Sequence, residues 1–296
     1  MTALTITNPH CAVCEATGSE VVGEQGKVRS NVRAFSHESF AVWRCKLCQS
    51  LHARDEVDLA HYYARYPFHA LPIDWRMRIM YDNQLRRLRR AGIGPEHRIL
   101  DYGCGKGDFL RYLSSRGFDH VAGFDEYSTD FADRSVLDAS YDCVFSQDVI
   151  EHVPSPPALL QTFDGLVKPG GVIVIGTPNA AALDIQNPEE YVHALHLPYH
   201  RHILSKQALI GAGEKRGWKL DRYYPTQYAN TLFPFLNSRF FLYYMRLLDN
   251  SLDGLLDPPK VGLLLARFPL TLFWGFFGYF FARETDVTAV FRRGTA

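Results

Sequence analysis

The 296-residue sequence has no excess of charge of either sign, because 32 lysine and arginine residues balance 32 aspartate and glutamate residues. This balance argues against nucleic acid as a partner, since nucleic-acid-binding domains usually carry a basic excess. The sequence also lacks an N-terminal basic segment followed by an apolar one, the pattern of a signal peptide, and this predicts a cytoplasmic protein in reducing surroundings. With 47% hydrophobic and 22% charged residues, the chain does not have the composition of a disordered protein.

Cysteine is scarce, yet four of the six cysteines form two CxxC pairs. Two such pairs supply the four thiolates of a tetrahedral zinc site, whereas a disulfide framework would need an oxidising compartment. We therefore predict a zinc-ribbon-like module over 1–60 that holds a structural zinc ion. His10 and His52 flank the pairs and are alternative ligands. The four predicted thiol ligands are Cys11, Cys14, Cys45 and Cys48.

A connector and a helix are predicted after the cysteine pairs. Residues 61–71 are rich in Tyr, His and Pro, which indicates an irregular segment. Asp74 is a good N-cap for a helix over 75–90, and Gly92 is a suitable stop after it.

A short apolar strand over 98–102 leads directly into a glycine-rich turn, and a helical pattern follows over 109–116. This order is typical of the cofactor crevice of an open α/β sheet. The GxGxG spacing of 103–107 does not match the dinucleotide pattern GxGxxG, and Lys106 is not followed by the Ser or Thr of a P-loop. Asp101 would repel a pyrophosphate, so a cationic ligand without phosphate suits the turn better.

The stretch ILDYGCGKGDFL over 99–110 resembles motif I of class I S-adenosylmethionine-dependent methyltransferases. The stretches 141–156 and 166–179 resemble later motifs of the subgroup that contains the ubiquinone-pathway O-methyltransferases. The resemblance covers about 99–219 and implies an α/β fold, a Rossmann-like seven-stranded sheet whose last strand is antiparallel. It also implies S-adenosylmethionine as cofactor. The residues expected to contact this cofactor are Asp101, Gly103, Cys104, Gly105, Gly107, Asp125 and Gln147.

Two acids of the family pattern differ in how clearly they can be placed. The strand over 120–125 ends in Asp125, where the family has the carboxylate that binds the ribose hydroxyls. Only 126–140 separate this strand from the next motif, which is short for a helix and a third strand. The acid that contacts adenine is therefore left open between Asp130, Asp133 and Asp138.

Asp148, Glu151 and His152 have the spacing i, i+3 and i+4, so a helical turn would place them on one face. The pattern also resembles part of a magnesium site in small-RNA 2′-O-methyltransferases. In those enzymes a later histidine completes the site, and among the four histidines of 193–202 His200 matches that position best. We predict that these four residues bind magnesium or another divalent cation, with Glu151, His152 and His200 as the candidate catalytic residues. The alternative is that Glu151 and His152 only brace the helix.

Ten of the twenty phenylalanines lie in 229–283, just before the predicted last strand over 284–293. Arg267 is the only charged residue in 261–281, a run that could barely span a bilayer. Arg267 and Pro269 interrupt this run, and the last strand must return to the same sheet. We therefore predict a hydrophobic helical insert that covers the acceptor pocket, joins two copies of the chain in a homodimer, or makes peripheral contact with a membrane.

These features together predict an S-adenosylmethionine-dependent methyltransferase domain over 61–296 that methylates an oxygen of a small or lipophilic acceptor. C-methylation of a sugar nucleotide is the alternative, because similar enzymes pair a cysteine-rich zinc module with the same core. A protein of another class, a pseudo-enzyme that binds the cofactor and serves as an interaction module, is the third hypothesis. The intact glycine turn, with Asp101 and Asp125 beside it, argues against the third.

Overall fold

The computed structural model describes residues 9–67 and 73–295. In chain order, its strands are β1 (Val22–Arg29), β2 (Ser39–Cys45), β3 (Leu51–Ala53), β4 (Ile99–Tyr102), β5 (Val121–Phe124), β6 (Tyr141–Gln147), β7 (Val167–Pro178), β8 (His202–Ile203), β9 (Trp218–Tyr224) and β10 (Asp286–Arg293). Its α-helices are α1 (Leu59–Tyr63), α2 (Trp75–Arg90), α3 (Asp108–Ser115), α4 (Pro156–Leu166), α5 (Val192–Leu195), α6 (Lys206–Glu214), α7 (Ser238–Leu247), α8 (Val261–Ala266) and α9 (Leu270–Phe277).

The first sheet is antiparallel and has the order β1-β2-β3-β8. Its last strand comes from far along the chain, because Leu51 and His52 of β3 pair with Ile203 and His202 of β8. Hydrogen bonds therefore cross the predicted division after residue 60, which stays a prediction.

The second sheet has the order β5-β4-β6-β7-β10-β9. The strands β5, β4, β6 and β7 run parallel to one another, and β10 is antiparallel to both of its neighbours. Ile99, Leu100, Val144 and Ile173 are all fully buried. Such continuous apolar character is expected where helices cover both faces of a parallel sheet. The carboxyl ends of β4 and β6 lie side by side, which is where open α/β sheets bind their ligands.

The prediction of seven strands is wrong for the part of the chain that is described, where this sheet has six. After β5, the chain forms a single 3-10 turn, Arg134–Asp138, in place of a third strand. The Asp133 carboxylate caps that turn by accepting the backbone N–H of Ser135. The segment between β5 and β6 is too short to build both a helix and a further strand.

The helix α2 begins and ends where it is predicted. The Asp74 carboxylate accepts the backbone N–H groups of Arg76 and Met77, which caps the first turn. The inner face of α2, including Gln84 and Leu88, is buried, and it lies beside the carboxyl ends of β4 and β6.

Between β9 and β10 the chain forms α7, a 3-10 turn (Leu252–Leu255), α8 and α9. The helices α8 and α9 have only six and eight residues. Within 9–67 and 73–295, no helix combines the length and the apolar character that crossing a membrane requires.

Candidate active site

The glycine turn after β4 requires glycine for two different reasons. Gly103, Gly105 and Gly107 all have positive φ angles, of 83°, 56° and 73°. A Cβ on Gly103 would stand 2.1 Å from Val149, and a Cβ on Gly107 would stand 2.4 Å from the ring of Phe131. A Cβ on Gly105 would meet nothing within 4 Å. The turn is therefore in close contact with Val149 at Gly103 and with Phe131 at Gly107, and it is open at Gly105.

A cavity of about 280 Å³ lies over the open part of the turn, and we call it the crevice cavity. Asp101 lies in its wall and is only 4% exposed. Burial, together with the nearby charge of Asp125, raises the pKa of Asp101 to about 7. A cation in the cavity would favour the ionised carboxylate, so the wall suits a positively charged ligand.

Cys104 lies within the turn, whereas Asp125 follows β5 and contacts the turn without lining the crevice cavity. The Asp125 carboxylate accepts the N–H groups of Gly105 and Tyr127, each at 2.9 Å. The Cys104 side chain lines the crevice cavity and fills the space where a Cβ on Gly123 would stand. Burial raises the pKa of the Cys104 thiol to about 12, so this thiol is protonated at neutral pH.

Gln147 and Asp148 line the crevice cavity at the end of β6. Gln147 donates from Nε2 to Asp148 Oδ1 at 2.8 Å, and Gln84 of α2 donates to Gln147 Oε1 at 3.3 Å. Solvent reaches Asp148 through the cavity, yet the loss of much of its hydration to the surrounding protein raises the pKa of its carboxyl group. Asp148 has a φ of 56° and α4 begins only at Pro156, so the prediction of one helical turn carrying Asp148, Glu151 and His152 is wrong.

A compact buried group forms just beyond Asp148. One ligand atom each of Glu151, His152 and His200 lie within 4.8 Å of one another, and we call these three residues the acceptor group. Asp148 is outside this group, so its predicted place as a metal ligand is not matched, although its charge raises the pKa of Glu151. A backbone hydrogen bond holds His200 in this group, because the N–H of the following residue, Arg201, donates to the carbonyl oxygen of Glu151 at 2.9 Å.

Hydrogen bonds fix the tautomers of both histidines. Nδ1 of His152 lies 3.0 Å from the carbonyl oxygen of Tyr199, and Nδ1 of His200 lies 3.1 Å from that of Ala194. Because a carbonyl oxygen can only accept, Nδ1 carries the proton in each ring and Nε2 keeps its lone pair. Burial lowers the pKa of His152 to about 4 and that of His200 well below its usual value, so both are neutral at pH 7.

Glu151 is fully buried, and its two carboxylate oxygens have different surroundings. Oε2 accepts a hydrogen bond from Thr177 Oγ1 at 3.0 Å. Oε1 has no hydrogen-bond partner among the described residues, and the neutral His200 Nε2 lies 3.9 Å from it. The unpaired Glu151 oxygen and the two imidazole lone pairs are acceptors without a hydrogen-bond donor, and a cation or the hydroxyl of a methyl acceptor would satisfy them.

The other predicted histidines and acids have different surroundings. His193 and His196 contact the amide of Asn31, and His202 lies 3.0 Å from His52, Nδ1 to Nδ1. None of these three belongs to the acceptor group. The three acids left open for adenine do not line the crevice cavity. They are Asp130, Asp133 and Asp138.

The four predicted cysteines converge at the start of the chain. All four Sγ atoms lie within 4.8 Å of one another, with Cys11 and Cys48 at 3.5 Å and Cys14 and Cys45 at 3.8 Å. None forms a disulfide. Four sulfurs bound tetrahedrally to zinc at about 2.3 Å would be about 3.8 Å apart. His52 lies outside the four, but its Nε2 is 3.1 Å from Cys11 Sγ.

A larger cavity of about 620 Å³ lies between the first sheet and residues 181–184. Its one buried cation, Arg44, already donates to the carbonyl oxygens of Gln49, Ala180 and Leu183. Because the protein already satisfies Arg44, this cavity offers a ligand no free buried cation, and it is not the candidate active site.

Several side chains around the site had not been identified from the sequence. The hydroxyl of Tyr63 lies 3.2 Å from His152 Nδ1, and Tyr66 lines the crevice cavity together with Tyr81 and Tyr228. Tyr63 and Tyr66 belong to the segment 61–71 predicted as an irregular connector, of which 68–71 lie outside the described residues. The prediction is wrong for 61–63, which are helical in α1. Gln84 could have been identified as a site residue from the sequence, because it is a polar residue on the buried face of an amphipathic helix.

A family model described as a methyltransferase domain matches residues 73–223, which include the glycine turn and the acceptor group. The chain belongs to this methyltransferase domain family. The ubiquinone biosynthesis O-methyltransferase of Neisseria meningitidis serogroup C (strain 053442) is 31% identical over 121 residues, covering 33% of this chain and 48% of that protein. The phosphoethanolamine N-methyltransferase 1 of Arabidopsis thaliana is 28% identical over 109 residues, covering 30% of this chain and 22% of that protein.

The chain spans about half the length of the Neisseria meningitidis relative that it matches. Among solved structures, a putative sarcosine dimethylglycine methyltransferase from Galdieria sulphuraria is similar at a TM-score of 0.44 and 16% identity. That similarity covers 73% of this chain and 85% of the other.

Proposed function

We propose that the protein is an S-adenosylmethionine-dependent methyltransferase that methylates a hydroxyl oxygen of a small or lipophilic acceptor. The observation that carries this proposal is that Glu151 and His152 follow Gln147 and Asp148 of the crevice cavity directly along the chain, with His200 beside them. Asp148 in the cavity wall is close enough to Glu151 for its charge to raise the Glu151 pKa. A site for a cationic cofactor and a site for a hydroxyl are therefore adjacent.

The crevice cavity fits this cofactor in charge and in shape. S-adenosylmethionine, when bound, supplies a methyl group on a cationic sulfur, and Asp101 is a buried carboxylate that a cation would stabilise. Gly105 leaves the backbone of the turn open to close approach. Asp125 retains lone pairs for ribose hydroxyls beyond the two N–H groups it accepts. Gln147 and Cys104 complete the proposed cofactor contacts.

The acceptor group would activate the hydroxyl. In the absence of a metal, Nε2 of His152 or His200 would be a neutral base placed to take the proton of an acceptor hydroxyl. Placing the two reactants in adjacent sites is the main contribution of the protein, because methyl transfer needs an in-line approach and a desolvated pocket.

The acceptor group also fits a divalent cation, and we propose that it holds one. Such an ion, when bound, would lower the pKa of a hydroxyl beside it. The donors are one carboxylate and two imidazoles, a set that suits manganese, iron or zinc better than magnesium, which prefers oxygen ligands. Thr177 orients the carboxylate, and the carbonyl oxygens of Tyr199 and Ala194 orient the imidazoles, as outer partners do in metal sites.

A structural zinc ion in the cysteine cluster is the other proposed metal. The sulfur separations match tetrahedral geometry, and all four ligands are thiols, which leaves no position for a reaction at this ion. Its proposed role is to hold the first sheet together.

Calorimetry with S-adenosylhomocysteine, followed by a methyl-transfer screen with labelled cofactor, tests the function. Phenols, lipids with a free hydroxyl, sugar nucleotides and RNA form the acceptor panel, and the proposal expects product only with hydroxyl acceptors of the first two kinds. No binding of S-adenosylhomocysteine would refute the enzyme itself. Binding with transfer only to the carbon of a sugar nucleotide would refute the acceptor class and leave the cofactor assignment standing.

A further inference from the structure

The helices α8 and α9, with the turn that follows them, present an unusual concentration of exposed apolar side chains. Ten of the sixteen large apolar side chains that are exposed in the described residues lie in 261–281. Phe280 is 70% exposed, Leu265 68% and Phe268 65%. We call this surface the apolar face. A contiguous apolar patch of this kind on a folded protein marks an interaction site.

The inner side of α9 is held firmly, so the outward direction of these side chains is built into the fold. Phe235 donates its backbone N–H to the carbonyl oxygen of Gly275 at 2.8 Å, and Asn237 Nδ2 donates to the carbonyl oxygens of Trp274 and Gly275 at 3.1 Å. A Cβ on Gly275 would stand 2.3 Å from the ring of Phe235. The helix cannot roll inward to bury its phenylalanines without breaking these contacts.

The charged residues of the segment that carries the apolar face are all positive. The segment 258–283 contains no acidic residue and has only Lys260, Arg267 and Arg283 as cations. Arg283 pairs with Glu190 at 2.6 Å. Lys260 and Arg267 are exposed, and neither forms an ion pair with another described residue. Basic residues that flank an apolar surface are the pattern that suits a membrane with anionic headgroups.

A second copy of the chain is a poorer occupant of this face. The commonest dimers are two-fold symmetric and pack one patch against the same patch. Such a contact would bring Lys260 and Arg267 of both copies together with no acid in the patch to neutralise them. Like charges facing each other across an interface are unfavourable.

We propose that the apolar face docks the protein on the surface of an anionic lipid bilayer. The contact is monotopic, because a helix needs about 20 residues to cross a bilayer and neither α8 nor α9 approaches that length. Exposed phenylalanines and leucines enter the interfacial region, while the two free cations meet lipid phosphates. This docking does not depend on methyl transfer.

Vesicle flotation tests the docking with the full-length protein. Vesicles of phosphatidylcholine and phosphatidylserine in equal parts should carry the protein upward, and vesicles of phosphatidylcholine alone should carry less. Leu265→Ser with Phe280→Ser should lower binding to the mixed vesicles about tenfold or more, since two exposed apolar side chains are lost. Lys260→Glu with Arg267→Glu should lower it by more than about twentyfold and remove its salt dependence.

Leu47→Ser is the matched control, because Leu47 is 67% exposed in the turn between β2 and β3, outside the apolar face. It should float like the unmodified protein. Unchanged binding of S-adenosylhomocysteine would show that each variant is folded. Failure of the unmodified protein to float, or a dimer that both double variants abolish while flotation stays absent, would overturn the proposal.

Discussion

Gly105 combines a φ of 56° with open space at the position where a Cβ would stand, and it lines the crevice cavity. Gly105→Ala should therefore cost the fold only the strain of a left-handed conformation, about 1 kcal/mol. The new methyl group would occupy space that the proposed cofactor fills. Inserting a methyl group into a packed contact costs about 1 to 3 kcal/mol, which corresponds to about fivefold to more than hundredfold weaker binding.

Gly117 provides a control with the same strain and no role in the cavity. Its φ is 86°, a Cβ there also meets nothing within 4 Å, and it follows α3 at a distance from the turn. Gly117→Ala should lower the free energy of unfolding by a similar amount and leave affinity for S-adenosylhomocysteine unchanged. Calorimetry and urea denaturation of both variants measure the two quantities. Equal affinities for the cofactor product in the two variants would refute the assignment of the turn.

Affinity for S-adenosylmethionine should rise as the pH increases from 6 to 8. The Asp101 pKa of about 7 leaves part of the carboxyl group protonated below pH 7, and a cation binds the ionised form. Asp101→Asn should abolish this pH dependence, and a flat calorimetric profile of the unmodified protein would contradict the prediction. The same raised pKa implies that the apo fold loses stability as the pH rises toward 7, which denaturation at pH 5 and 7 checks. His200→Ala should lower the methyl-transfer rate at least about hundredfold, the usual size of an acid-base contribution. His193→Ala should leave the rate near that of the unmodified protein, because His193 contacts Asn31 and Asn250 instead. Equal rates in these two variants would refute the acceptor group. Cys45→Ser should lower bound zinc by about one ion per chain in elemental analysis, and an unchanged zinc content would refute the four-thiol site.

The cofactor crevice was predictable because its requirements are local. A buried strand, glycines at positions of positive φ and a helix start follow one another within 99–115, and each leaves a direct sign in the sequence. The helix α2 was equally clear, since Asp74 marks its first turn and Gly92 its end. The strand count was predicted from the family resemblance and was wrong, because the short segment after β5 has no room for the third strand.

The acceptor group was harder because its geometry depends on distant parts of the chain. The i, i+3, i+4 spacing suggested a helix at Asp148, yet Ser155 and Pro156 are the true cap and first residue of α4. A Ser followed by Pro is a good helix start, and this signal was overlooked. The family resemblance favoured His200 over its neighbours, and the contact that brings it to Glu151 is tertiary, because the backbone N–H of Arg201 donates to the Glu151 carbonyl oxygen. No spacing rule placed Tyr63 beside His152.

The pairing of β8 with β3 joins the two proposed metal sites mechanically. His202 pairs with His52, whose ring contacts Cys11, while the N–H groups of Arg201 and His202 hold the carbonyl oxygen of Glu151. A chelator that strips the cysteine cluster would therefore loosen His200 without ever touching it. Loss of activity on chelation would then say little about which ion matters. Only adding back single metals, with the zinc content of the cysteine cluster measured separately, would tell a catalytic ion from one that keeps a strand in place.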